Sequence, residues 1–118
     1  MDFDGAIKAH NSWKDRLNSF VGGWGCENLT SRSVSKDDQC ALGRWIYGEG
    51  QAYKNSRNFA NLVKHHKRFH EAAGKVVSMV EACDKCTAKQ IIAGMFTQAS
   101  KDTVEAIKNL KIELDAGD

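Results

Sequence analysis

"SRNFANLVKHHKRFHEAAGKVVSMV", residues 56–80, decides the fold. Phe59, Leu62, Val63, His66, Phe69, His70, Ala73, Val76, Val77 and Val80 recur every three or four positions, the spacing that lines side chains along one face of an α-helix. Ser56 precedes the pattern as an N-cap. Within it, "HHKRFH" at 65–70 places His66 and His70 on the apolar stripe. His65 shares its face with Asn58, Asn61, Arg68 and Ala72, and is expected to meet solvent.

Working outward, the same period appears on both sides. Phe3, Ile7, His10, Trp13, Leu17 and Phe20 draw a stripe down a first helix, and "GGWG" at 22–25 stops it, since glycine supplies the left-handed cap. Residues 22–34 read as a loop. "SKDDQCALGRWIYGEG", from residue 35, reads as a short helix with Ser35 as N-cap, Asp37 and Asp38 in its first turn and Gly48 closing it. "CDKC" at 83–86 reads as a turn, and "TAKQ" at 87–90 as a capping box. Ile92, Phe96, Ala99, Thr103, Ile107, Leu110 and Leu114 then carry the period to the end. With no proline and no strand-like alternation, the expected fold is all-α: one domain over 1–118, an antiparallel four-helix bundle in which one short helix carries a cysteine.

Composition narrows the function. A chain of 118 residues, 42% hydrophobic and 27% charged, can bury a full core without staples. Seventeen basic against fifteen acidic residues leave +2, which points away from nucleic acid. Lys64, Lys67 and Arg68 read as the solvated side of a helix. No apolar run is long enough to span a bilayer and no signal peptide opens the chain, so the expected location is cytoplasmic. In a cytosol Cys26, Cys40, Cys83 and Cys86 stay reduced, and "NLT" at 28–30 is a chance match to a glycosylation site. "GGWGCEN" lacks the third glycine and the preceding strand of a phosphate-binding loop.

The chemistry lies in the histidines. Residues four apart on a helix stand one turn above each other, so His66 and His70 can aim ring nitrogens at one point, a spacing that zinc proteins use. His10 sits on the facing stripe. A core histidine is more often hydrogen-bonded than ligating, but three on facing stripes shift the balance toward a shared metal. Cys40 is the best-placed fourth donor, anchored by Leu42, Trp45 and Ile46, with Gly43 permitting close approach. A thiolate and three neutral imidazoles make a closed site for a borderline-soft cation such as zinc.

"IKAHNSWKDRL", "CALGRWIYGEG" and "FANLVKHHKRFHEAA", in this order, resemble the chemoreceptor zinc-binding domain family, with its C-x-L-G-x-W and H-x-x-F-H elements complete. The resemblance implies one zinc per chain, held by His10, Cys40, His66 and His70, in a bundle that usually forms a homodimer. It further implies a bacterial cytoplasmic signalling protein, with the domain attached to a chemoreceptor or a diguanylate cyclase and no catalytic activity of its own. The expected stimulus is either an oxidant such as hypochlorous acid acting on the Cys40 thiolate, or zinc availability. A purely structural zinc module shares every ligand. A hemerythrin-like iron or oxygen bundle needs five histidines and bridging carboxylates, against four histidines here. A zinc hydrolase needs an open coordination position, which Cys40 fills. Cys83 and Cys86 read as incidental loop thiols, Cys26 carries no assigned role, Trp24 is a candidate dimer contact, and Trp13 and Trp45 read as core.

Overall fold

In a computed structural model, residues 1–23 and 29–116 are described. Helix α1 spans Phe3–Gly22, α2 Ser31–Val34, α3 Ala41–Tyr47, and α4 Arg57–Glu81. A 3-10 turn at Glu49–Tyr53 links α3 to α4. The last rod is α5, Lys85–Ile91, a π-helical stretch Ile92–Phe96, and α6, Thr97–Ala116. No strand occurs among the described residues, and no helix there is long and apolar enough to cross a membrane.

Pair contacts give the directions. Asp4 near the start of α1 meets Lys111 near the end of α6 at 3.2 Å. Ser56 and Asn58, at the start of α4, donate to the Glu113 carboxylate at 2.7 and 2.9 Å. The last rod is thus antiparallel to both α1 and α4. Phe3 stacks edge-on against Trp45, which packs on Phe59, while Cys40 lies beside His66 and His70. The segment from α2 through α3 therefore descends alongside α4 and completes an antiparallel four-helix bundle, its second rod broken into two short helices.

Caps explain where the elements begin. Asp2 accepts from Gly5 N at 2.9 Å, and Ser56 caps α4 through Phe59 N. Gly23, with φ 76°, ends α1 in the left-handed cap. Three expected boundaries change. Residues 31–34, read as loop, form α2 with Thr30 as N-cap, and Ser35 closes that helix rather than opening the next. Asp37 and Asp38 fall in the intervening turn, and α3 opens at Ala41 with Cys40 as its N-cap. Thr87 is not the cap of the last rod: Asp84 accepts from Thr87 N at 3.0 Å, so Lys85 and Cys86 of the expected turn are helical. Within the expected turn, Cys83 takes a left-handed φ of 63°. For α3 and the last rod, a polar side chain nearer the free amides of the first turn replaces the expected cap.

The core divides into two apolar clusters. One gathers Leu17, Val21, Val34, Phe69, Val76, Val77, Ile92 and Phe96, and the other Ala6, Leu42, Ile46, Phe59, Leu62, Ile107 and Leu110. Between them lies a polar layer of His10, His66, His70 and Thr103, each 3% exposed or less. Trp13 and Trp45, expected in the core, are half-buried at its edges. Arg16 lies over the Trp13 ring at 3.8 Å.

Candidate metal centre

Why the polar layer tolerates burial is answered residue by residue. On α1, His10 Nδ1 is 2.7 Å from Ala6 O. On α4, His70 Nδ1 is 3.0 Å from Val34 O, at the end of α2. A carbonyl only accepts, so both Nδ1 atoms carry the proton and both Nε2 atoms present a bare lone pair. Among the described residues, the buried His10 Nε2 has no hydrogen-bond partner, and His66 Nδ1 has none either. Each orphan costs roughly 1 to 3 kcal/mol if nothing else engages it.

The donor atoms converge. His66 Nε2 and His70 Nε2 are 3.1 Å apart, and Cys40 Sγ stands 3.3 Å from the first and 3.7 Å from the second. One donor atom from each of His10, Cys40, His66 and His70 lies within 4.8 Å of all the others. Zinc bond lengths of about 2.05 Å to nitrogen and 2.3 Å to sulfur set tetrahedral edges of about 3.3 Å between nitrogens and 3.6 Å from nitrogen to sulfur. The three short separations match those edges. The residues therefore fit a tetrahedral soft-to-borderline cation, and the orphaned His10 nitrogen is the group such an ion would satisfy.

Cys40 reaches this point because it caps a helix. Its sulfur accepts from Gly43 N at 3.3 Å, fixing the side chain at the start of α3. A Cβ at Gly43 would stand 1.8 Å from Asp37 O, so glycine lets the Asp37–Asp38 backbone fold over the α3 N-terminus. The close approach expected at Gly43 is thus to this turn, not to another helix. The Tyr47 hydroxyl donates to the Asp37 carboxylate and ties that turn to the far end of α3, which pushes the phenol up to about 12.

Electrostatics keep all four donors neutral in the metal-free chain. Burial lowers the imidazoles of His10 and His70, and takes His66 down to about 2 with help from the adjacent His70 and His10 rings, which oppose any charge on it. Burial raises the Cys40 thiol, against the opposing amides of Gly43 and Leu42. A cation therefore meets three imidazoles ready to bind and one proton to displace, from sulfur.

His65 departs from expectation. It is half-buried rather than solvent-facing, its Nδ1 shielded and unpartnered, in a polar cleft with Asn61, Asp102 and Glu105. The reason is that α6 covers this face of α4, with the Thr103 hydroxyl donating to His65 O at 3.0 Å, while α1 and α2 pack on its other sides. His65 takes no part in the metal cluster. Cys83 and Cys86 are exposed free thiols away from it, and Cys26 and Trp24 lie outside the described residues.

A closed set of three imidazoles and a thiol within a helical bundle defines a metal-binding domain. The family model of the chemoreceptor zinc-binding domain matches residues 10–77, more than half of the chain, and the chain belongs to that family. The match begins at His10 and takes in Cys40, His66 and His70, but stops before the last rod. No curated protein and no solved structure matches the chain.

Proposed function

We propose that this domain holds one zinc ion through His10, Cys40, His66 and His70 and serves as a redox-sensitive regulatory element of a cytoplasmic signalling protein. The observation that carries this reading is unequal exposure: three donors are 3% exposed or less, and Cys40 alone is only half-buried. When bound, zinc keeps the Cys40 sulfur deprotonated at neutral pH, the form that oxidants attack. Hypochlorous acid supplies the oxidant. The thiolate sulfur takes the chlorine and hydroxide leaves; water then replaces the chlorine, giving sulfenic acid, chloride and a proton. Two electrons pass from sulfur to chlorine. Sulfenic acid is a poorer donor, and the Gly43 amide loses its thiolate acceptor, so α3 loosens while the three histidines keep their places.

The domain works attached to an output module, as a homodimer, and is itself no enzyme: four protein donors leave no open position for a substrate. The group of donors contains no carboxylate, which speaks against the hemerythrin-like alternative. A second reading, sensing of zinc availability, has its own support in the partnerless His10 Nε2, which makes the folded layer depend on occupancy.

The test is to treat zinc-loaded protein with equimolar hypochlorous acid, then read the mass of the Cys40 peptide and hydrogen exchange across Ala41–Tyr47. The expected result is one added oxygen on Cys40 and faster exchange in α3. A purely structural zinc module gives no change in α3. A zinc-availability sensor gives the α3 change on chelation but none with oxidant.

A further inference from the structure

Cys40, half-buried, and His10, buried, line a cleft of about 250 Å³ between the start of α1 and the start of α3. Its walls are apolar: Ala6 and Ala9 on one side, Ala41 and Leu42 on the other. Asp2 stands at its rim, with a carboxylate oxygen accepting from Gly5 N. This is the cleft that both Cys40 and His10 line; the cleft walled by Arg68, Glu71 and Met95 and that walled by Ser31, Arg32 and Lys75 touch none of the four donors.

We propose that this cleft is the route to the Cys40 sulfur and that it selects by charge and size, admitting small uncharged oxidants and electrophiles while holding back anions and bulky disulfides. The inference rests on the reading of Cys40 as the reactive ligand and adds the chemical class of reagent that reaches it. Carbon-lined walls offer an entering anion no hydrogen bond in exchange for its hydration shell. The Asp2 carboxylate at the rim repels an entering anion, and so opposes the pull of the α1 N-terminus and of the single net positive charge of a zinc ion with one thiolate and three neutral imidazoles. Small side chains at positions 6, 9 and 41 beside the larger Met1 and Leu42 set the width: a two-heavy-atom oxidant passes, and glutathione disulfide, large and multiply charged, does not.

Cys83 and Cys86, both exposed, supply an internal standard. Zinc-loaded protein is treated separately with iodoacetamide and iodoacetate, which react identically: sulfur bonds to the methylene carbon and iodide leaves with the electron pair. Labelling is read by mass at each cysteine. The expected ratio of iodoacetamide to iodoacetate labelling is higher at Cys40 than at Cys83 and Cys86 by about tenfold or more, the scale set by desolvating a charge. Ala9→Phe, on the exposed rim, should slow Cys40 labelling by about tenfold through filling the cleft, with zinc content and labelling of the two exposed cysteines unchanged. Ala9→Ser should change nothing. Equal ratios at all three cysteines overturn the proposal, as does unimpeded labelling of Cys40 in a zinc-loaded Ala9→Phe protein. If that variant fails to fold, the ratio in the unaltered chain decides alone. Oxidation of Cys40 without any such discrimination sinks the cleft and leaves the sensor reading standing; a Cys40 inert to every reagent sinks both.

Discussion

Sulfur is the atom on which the centre turns, and its removal is the sharpest test of the donor set. Cys40→Ser keeps a cap for Gly43 N but replaces a soft donor with a hard, weak one. We expect one zinc per chain in the unaltered protein, and in the variant a loss of affinity of about 100-fold or more, exceeding the 10- to 100-fold typical of altering a ligand's supporting partner. Elemental analysis and chelator competition measure both; equal retention removes Cys40 from the coordination sphere. The imidazoles make a separate prediction in the metal-free chain. Folding holds their pKa below the ordinary 6.5, so their contribution is complete above that pH and is lost as pH falls toward the folded values. The Cys40 thiol is held above its ordinary 9.0, so stability also falls as pH rises past that value. The metal-free melting temperature should therefore peak between the two and drop on the acid side; a profile flat down to about pH 5 would mean that the histidines are not kept neutral.

At the scale of the helix, support for the centre comes from packing against α4. A Cβ on Gly74 would stand 2.6 Å from Ser35 Cβ, so glycine is what lets α2 lie against α4 and bring Val34 O to His70 Nδ1. Gly74→Ala should push α2 outward, costing about 1 to 3 kcal/mol in denaturant unfolding and weakening zinc about tenfold as the His70 ring loses its anchor. Unchanged zinc affinity in a destabilised variant would make α2 a packing element only. The last rod carries a different feature. At the π-helical stretch the Thr97 hydroxyl donates to Ile92 O at 2.6 Å, and the Phe96 ring at its end lies 5.0 Å from the Phe69 ring, tilted by 42°. Phe69 in turn meets the His10 ring at 4.9 Å and the His70 ring at 5.2 Å. Aromatic contact thus runs from two metal-facing rings to the one irregular turn of the C-terminal rod.

For the molecule as a whole, the centre is a layer of the core. It joins the cluster around Phe69 and Val76 to the cluster around Leu62 and Leu110, and Thr103 closes it by sharing its hydroxyl proton between Ala99 O at 2.8 Å and His65 O at 3.0 Å. An ion here binds the folded state and not the unfolded chain. At a free zinc level about 1,000-fold above Kd this stabilises by about 4 kcal/mol, a shift in Tm of about 15 °C for a domain of this size. Calorimetry before and after chelation measures it. Both apolar clusters should lose protection together in hydrogen exchange, since the His10 Nε2 that the ion would engage lies between them; loss in one cluster alone would separate the centre from the core.

Helical periodicity by itself determined the long helices, the buried face of each and the three histidines that share them, because a regular spacing of apolar residues admits few other structures. It also singled out the cysteine, through the residues around it. Tertiary structure alone decided that Cys40 caps α3 instead of lying within it, that Asp84 rather than Thr87 opens the last rod, and that His65 is half-buried. A cap is won by whichever polar side chain lies nearest the free amides, and a helix face is covered by whichever neighbour arrives there. Both outcomes depend on where distant segments pack, which one strand of local spacing does not encode.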